Sequence, residues 1–185
     1  MNTGIISMRY AKALFAYTQL KEASEEVFTE MEALSRHFAL EPRLRPTLLN
    51  PILRERDKIA LIKSAISDHV TRPTWRFIRL VVGNHREDML QSMALNYIDL
   101  YRKAHNIHVA IVETAIPLAP ENEERLKTLM ATRTQGTIEL QRNVNPQLIG
   151  GFIFQMNFQR IDASVRAQIT EIKKHFGYDR TYQGK

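Results

Sequence analysis

A chain of 185 residues with 44% hydrophobic and 25% charged content can bury one good core or two small ones, which excludes a disordered polyelectrolyte. It has no cysteine, so a disulfide framework, a thiolate nucleophile and a thiolate metal site are excluded, and no uninterrupted apolar run approaches the roughly 20 residues of a membrane span. The net charge of +6 favours an acidic partner, but it is spread thinly: 16 basic against 12 acidic residues up to position 105, and 10 against 8 beyond it.

The opening residues, MNTGIISMRYAKALF, lack the apolar core of a secretory signal and the Arg/Ser-rich, acid-poor character of a transit peptide, so organelle import is not expected. Instead they begin a helix over residues 5–20, in which Tyr10 and Leu14, Ala11 and Phe15, and Ala13 and Tyr17 each lie one turn apart. This helix is apolar on more than one side, which suits a central place in a bundle or one face kept for a partner.

Glu25 and Glu26 favour a helix start, and Val27, Met31, Leu34 and Phe38 follow at helical spacing. Pro42, Pro46 and Pro51 leave room only for a short helical turn over residues 43–49. The next helix, about 54–67, places Ile59, Ile62 and Ile66 on one stripe with Arg54, Lys58 and Lys63 mostly outside it. Pro73 suits the first turn of a helix reaching Val82, with Trp75, Ile78 and Val82 on one stripe and Phe77, Leu80 and Val81 on another. Gly83 and Asn84 end it, and residues 87–103 form a sixth helix carrying Leu90, Met93, Tyr97, Leu100 and Tyr101. The expected first domain, residues 1–105, is therefore an all-α six-helix bundle.

At His105-Asn106 the period changes from helical to alternating. Residues 107–115 read as a β-branched strand, Pro120-Glu121 opens a helix with Leu126, Leu129 and Met130 on its apolar side, and Gly136 returns the chain to a strand around Ile138 and Leu140. Asn145-Pro146 is a turn. The apolar residues Leu148, Ile149, Phe152, Ile153, Phe154 and Met156 then predict a buried strand interrupted by Gly150 and Gly151, a pair that requires a sharp bend or a close approach of another segment. Val165, Ile169, Ile172 and Phe176 make a last helix, capped by Asp162 or Ser164, and the tail from 178 to 185 has no periodicity. The second domain, residues 106–185, is thus expected to be β-α-β-β-α, and the whole chain α+β.

Residues that would carry chemistry are missing from this pattern. The histidines at 37, 69, 85, 105, 108 and 175 are scattered, and His105 and His108 straddle a boundary without the HExxH spacing of a zinc helix. Neither a phosphate loop nor a Gly-x-Ser-x-Gly elbow occurs, and Glu121, Glu123 and Glu124 are accounted for as acids in a helix first turn. The expectation is a non-enzyme with no catalytic residues, no cofactor and no metal. What stands out is surplus apolar and aromatic surface on the first helix and on the helix of Trp75, the pattern of a helix-in-groove interface.

Several motifs in order also resemble a known family. Arg9-Tyr10-Ala11-Lys12-Ala13-Leu14-Phe15, Leu44 through Leu48-Leu49-Asn50-Pro51 with Lys58, Asn84-His85-Arg86 with Leu90, and Val144-Asn145-Pro146 through Gly150-Gly151 to Ile161-Asp162-Ala163-Ser164-Val165-Arg166 resemble the δ subunit of F-type ATP synthase. That family includes the oligomycin-sensitivity-conferring protein, and the bacterial type is the nearer likeness. The family's glycine-containing hairpin turn is replaced here by Asn157-Phe158-Gln159.

The resemblance implies a stator in the peripheral stalk, on the cytoplasmic face of the bacterial plasma membrane, resisting rotor torque during proton-coupled ATP synthesis. It implies that the N-terminal bundle binds N-terminal helical segments of the α subunits in a groove lined from Tyr10, Leu14, Tyr17, Trp75, Ile78 and Val82. The C-terminal domain would hold the C-termini of the b subunits, with Gly150, Gly151, Asp162 and Ser164 on the stalk side. The rival reading from composition alone is a small basic nucleic-acid-binding helical protein, whose signature is steeply salt-dependent binding.

Overall fold

The computed structural model describes residues 3–67, 69–134, 136–156 and 159–175, and in the second unit nothing is described for the side chains at 129, 131–134, 159 and 175. The chain separates into two compact units, Met1–Ala104 and His105–Lys185. Together the described residues hold eight α-helices and a four-stranded mixed sheet.

The first unit contains α1 (Thr3–Leu20), α2 (Ser24–Leu40), α3 (Leu44–Leu49), α4 (Glu55–Ile66), α5 (Arg72–Gly83) and α6 (Leu90–Ala104), the last preceded by a 3-10 turn at Glu87–Met89. Small residues decide how α1 sits. Ser7, Ala11, Leu14 and Thr18 form its buried stripe, and their modest size lets α1 approach α6 closely. There the Phe15 ring meets the edge of Tyr97 at 5.8 Å. The Tyr97 hydroxyl, fully buried, lies 2.9 Å from Thr18 Oγ1 and donates to the Ser24 carbonyl, tying α1, α2 and α6 at one point. Most of the rest of the core is aliphatic or thioether: Val27, Met31, Leu34, Leu48, Ile62, Leu90 and Met93 have no exposed surface, and Phe38, Phe77 and Tyr101 are buried with them.

One lysine departs from its expected place. Lys58 does not ride outside the α4 stripe. It is buried, and its Nζ donates to Glu87 Oε1 at 2.9 Å, also out of solvent. A cation there is tolerable only because the carboxylate 29 positions later meets it, a pairing that periodicity within α4 does not reveal.

The second unit runs β1 (Ile107–Thr114), α7 (Pro120–Thr134), β2 (Thr137–Val144), β3 (Phe152–Met156), β4 (Gln159–Asp162) and α8 (Val165–His175). The sheet order is β2-β1-β3-β4, with β1 parallel to β2 and antiparallel to β3, and β3 antiparallel to β4. The pairing of Ala110 with Leu140 and Met156, and of Val112 with Phe154, puts these side chains on one face, where Leu126 and Met130 of α7 cover them. The expected β-α-β-β-α order is therefore corrected to β-α-β-β-β-α. Residues 159–162 form a strand where the pattern predicts only the approach to the last helix, because four polar-rich residues give no alternation long enough to detect.

The glycine pair also sits differently from the expectation. Leu148, Ile149, Gly150 and Gly151 precede β3 rather than belonging to it, and Ile149 is exposed. Phe176, the residues 157 and 158 of the expected turn, and the tail from 178 to 185 lie outside the described residues.

Candidate functional site

α1 turns two faces to two neighbours. Its small-residue stripe packs on α6, and a second stripe of Tyr10, Ala13 and Tyr17 with the edge of Leu14 looks toward α5. On α5 the facing residues are Pro73, Arg76, Phe77 and Leu80. Between the two helices lies a cavity of about 320 Å³ whose floor is apolar and which Arg9 and Arg76 border.

Both ends of this groove are held by long-range hydrogen bonds. At its start α5 has Pro73 in the first turn, where a missing N–H is harmless, and Thr71 as the cap accepting from Thr74 N. Glu30 of α2, itself buried, accepts from both the backbone N–H and the hydroxyl of Thr71, so α2 fixes where α5 begins. At the far end His85 takes a left-handed conformation, φ 52°, while His85 N donates to Val82 O and Arg86 N to Val81 O. Backbone bonds of this kind close a helix, usually with glycine at the left-handed position. The turn aims Arg86 back at α1, where its Nη1 donates to Tyr10 Oη at 2.8 Å and its guanidinium lies 5.2 Å from the Tyr10 ring centre. Arg76 makes a second strap, donating to Tyr17 Oη at 2.7 Å. Two tyrosines seven residues apart on α1 are thus each held by an arginine from the α5 side.

Of the six residues expected to line the groove, Tyr10, Leu14 and Tyr17 do so. Ile78 and Val82 do not: both have no exposed surface, being on the face of α5 turned to the core. Trp75 is partly exposed at 36% but lies beside the groove rather than in it, with the Arg79 guanidinium 4.7 Å above its ring. Of the α5 residues that do line it, Phe77 and Leu80 come from the other expected stripe, whose third member, Val81, has no exposed surface, while Pro73 and Arg76 belong to neither stripe. Leu80, 54% exposed, is what distinguishes the groove side of α5 from its core side, and exposure is a property of the fold.

In the second unit Gly150, Gly151, Asp162 and Ser164 come together as one junction. Gly151 has φ 78°, and a Cβ there would overlap the Ala163 carbonyl oxygen. The Gly150 carbonyl accepts a hydrogen bond from Val165 N at 3.0 Å, and a Cβ at Gly150 would come within 3.2 Å of the Val165 side chain. The glycines therefore let the β4–α8 connection pass close to the start of β3. Ser164 is the cap of α8, its Oγ accepting from Ala167 N at 3.2 Å, while Asp162 accepts from Ser164 N at 3.0 Å one step earlier. Hydrogen bonding from Ser164 holds the Asp162 carboxyl below the usual carboxylate range. On α8, Ile169 and Ile172 remain uncovered.

Among the described residues no arrangement in either unit suggests catalysis. No three His, Asp or Glu side chains among them gather as metal ligands, and no helix among them is long and apolar enough to cross a membrane. The family model for the ATP synthase delta (OSCP) subunit matches residues 6–176. The chain belongs to that family. It is 42% identical over 177 residues to ATP synthase subunit delta of Phocaeicola vulgatus, covering 95% of this chain and 96% of that one. To the subunit of the same name from Bacteroides thetaiotaomicron it is 40% identical over 178 residues, with the same coverage. The fold resembles a chain in the cryo-EM structure of the Toxoplasma gondii mitochondrial ATP synthase hexamer, with a TM-score of 0.70, 18% identity, and coverage of 92% of this chain and 96% of that one.

As a delta (OSCP) subunit the chain is an ATP synthase component with a stator role, peripheral to a membrane-associated complex.

Proposed function

We propose that this chain is the non-catalytic peripheral-stalk subunit that joins the catalytic head of the synthase to its membrane sector, on the cytoplasmic face of a bacterial plasma membrane. Its N-terminal unit, a six-helix bundle, grips an N-terminal helical segment of the α subunits in the α1/α5 groove. The C-terminal unit holds the C-termini of the b subunits, and the uncovered Ile169 and Ile172 of α8 are the surface offered for that contact. Torque from the rotor would be resisted by slow dissociation at both ends, and buried aromatic and aliphatic anchors supply that better than exposed charges do.

The observation that carries this reading is the apolar groove between α1 and α5, strapped at Tyr10 and Tyr17, in a chain of this family. An extended peptide would need backbone partners, and the backbones of two intact helices have none free along their length. A helix, which satisfies its own hydrogen bonds, is the fitting occupant.

The test is calorimetric titration of the full chain with a peptide copying the N-terminal segment of the cognate α subunit. Saturable binding is expected, and it should be lost in Leu80→Asp and in Ala13→Asp, two exposed positions that leave the core intact. Binding that survives both substitutions would place the contact elsewhere.

A further inference from the structure

The two walls of the groove share a property that apolar packing does not require: neither α1 nor α5 contains a single acidic residue. Across them lie Arg9, Lys12, Arg72, Arg76 and Arg79. Arg9 borders the groove on the α1 side and Arg76 on the α5 side, so the apolar floor has a cation on each lip. Among the described residues neither arginine is in an ion pair with a carboxylate of this chain; Arg76 spends its guanidinium on the neutral hydroxyl of Tyr17. By contrast the cation of Lys58 and that of Arg102 are matched within the same unit.

We propose that the groove selects an amphipathic helix whose apolar stripe is flanked on both sides by carboxylates, which Arg9 and Arg76 engage as the stripe enters. This rests on the reading of the groove as a partner-helix site and specifies the chemistry of the partner. The groove wall from Arg9 to Tyr17 spans about 12 Å at roughly 1.5 Å per residue, so it accepts a little over two turns, with apolar side chains at i, i+3 or i+4, and i+7. Glutamates on the flanks of those turns would come within reach of both lips. Arg76 then exchanges a neutral acceptor for a charged one, and charge-assisted hydrogen bonds are the stronger kind. A nucleic acid would suit the cations but not the floor, since Leu14, Phe77 and Leu80 offer a phosphate backbone nothing to bond.

The experiment uses the full chain and three probes: a designed amphipathic helix with glutamate flanks, the same helix with lysine flanks, and the N-terminal segment of the cognate α subunit. The glutamate helix is expected to bind at least about tenfold more tightly than the lysine helix at low salt, with the gap narrowing as added salt screens the lips. Arg9→Gln and Arg76→Gln should each weaken the glutamate helix about two- to fivefold, as for exposed pairs, without weakening the lysine helix, which a mere loss of the Arg76–Tyr17 strap would weaken equally, and Arg9→Glu with Arg76→Glu should reverse the preference. Equal affinity for the two designed helices, with the α segment still bound in the groove, would overturn this inference and leave the head-binding reading standing. Binding of the glutamate helix without the α segment would do the opposite. A duplex oligonucleotide that binds with a steep salt dependence and displaces the glutamate helix would overturn the inference in favour of nucleic acid.

Discussion

The two units of this chain reach a defined structure by different means. In the N-terminal unit side chains do the work: Val27, Met31, Leu34, Ile62, Ile78, Val81, Val82, Leu90, Met93 and Tyr97 are wholly withdrawn from solvent, and polar groups that go in with them, at Thr18, Lys58 and Glu30, are paired. In the C-terminal unit the described core is thinner, centred on Ala110, Val112, Met130 and Phe154, while Ile116, Ile149, Ile161, Ile169 and Ile172 stay exposed. There the backbone carries more of the definition, through a left-handed Gly151 and a Gly136 with no room for a Cβ beside the Asn106 carbonyl. A unit specified by packing fails when a partner is removed from its core. One specified by backbone fails when an atom is added to a glycine.

The sharpest way to break that contrast is at the buried ion pair. Lys58→Met should cost about 3–5 kcal/mol by stranding the Glu87 carboxylate, whereas Lys58→Met with Glu87→Leu should return to within about 1 kcal/mol of the parent. Chemical denaturation of the three chains, with hydrogen exchange showing that α4 and α6 lose protection first, checks this. An equal cost for single and double variants would mean the pair itself, not the stranded charge, matters.

In the other unit Gly151→Ala should cost about 3 kcal/mol, from a left-handed alanine and the overlap with the Ala163 carbonyl. Gly150→Ala should cost about 1 kcal/mol, since its Cβ meets only the end of the Val165 side chain at 3.2 Å. Hydrogen exchange of β3 and α8 amides should report the first change while the helices of the N-terminal unit are unaffected. Equal effects of the two substitutions would show that flexibility, not close approach, is what the pair supplies.

Burial pushes the Tyr97 hydroxyl up to about 12, against the partial opposition of its Thr18 hydrogen bond. A phenol whose folded-state value is raised loses nothing while both states are protonated. Above its unfolded value, about 10, the unfolded chain alone gives up the proton, so stability falls progressively as pH rises from about 10 toward 12. A rise of that size in the midpoint corresponds to roughly 2–3 kcal/mol across the whole window. Denaturation at pH 9 and pH 11.5 should reveal that loss in the parent chain and a flatter dependence in Tyr97→Phe, which keeps the ring against Phe15.

The smallest expected effect is at the α8 cap. Ser164→Ala should cost about 1 kcal/mol, seen as fraying of the first turn of α8 by hydrogen exchange. Because Ser164 also holds the Asp162 carboxyl low, the parent chain should retain this junction above the ordinary carboxylate range and lose it as pH falls through the depressed value. An NMR titration of Asp162 whose midpoint moves partway up in Ser164→Ala, the backbone N–H of residue 164 still donating to it, would confirm the link.

Local patterning by itself determined most of the elements. Helical spacing located α1, α2, α4, α5 and α6, the prolines confined α3, and the change of period at His105-Asn106 marked where the helical unit gives way to the sheet. Such signals survive in sequence because they depend on neighbours three, four or two residues away. The motif Asn84-His85-Arg86 was legible as a junction, and the structure supplies its reason: a left-handed His85 that turns Arg86 onto Tyr10. Only the tertiary structure decided which members of the two apolar stripes on α5 would be core. Of Trp75, Ile78 and Val82 the last two are buried and Trp75 is exposed, and of Phe77, Leu80 and Val81 the first and last are buried and Leu80 is left to the groove, where α5 packs against α1, α2 and α4. The same holds for Lys58, whose burial depends on a carboxylate in a different element, and for the glycine pair, whose constraint comes from a chain segment a dozen residues later. Sequence encodes each residue's preference for burial or exposure. Which neighbour satisfies it is settled by contacts between elements that no local window contains.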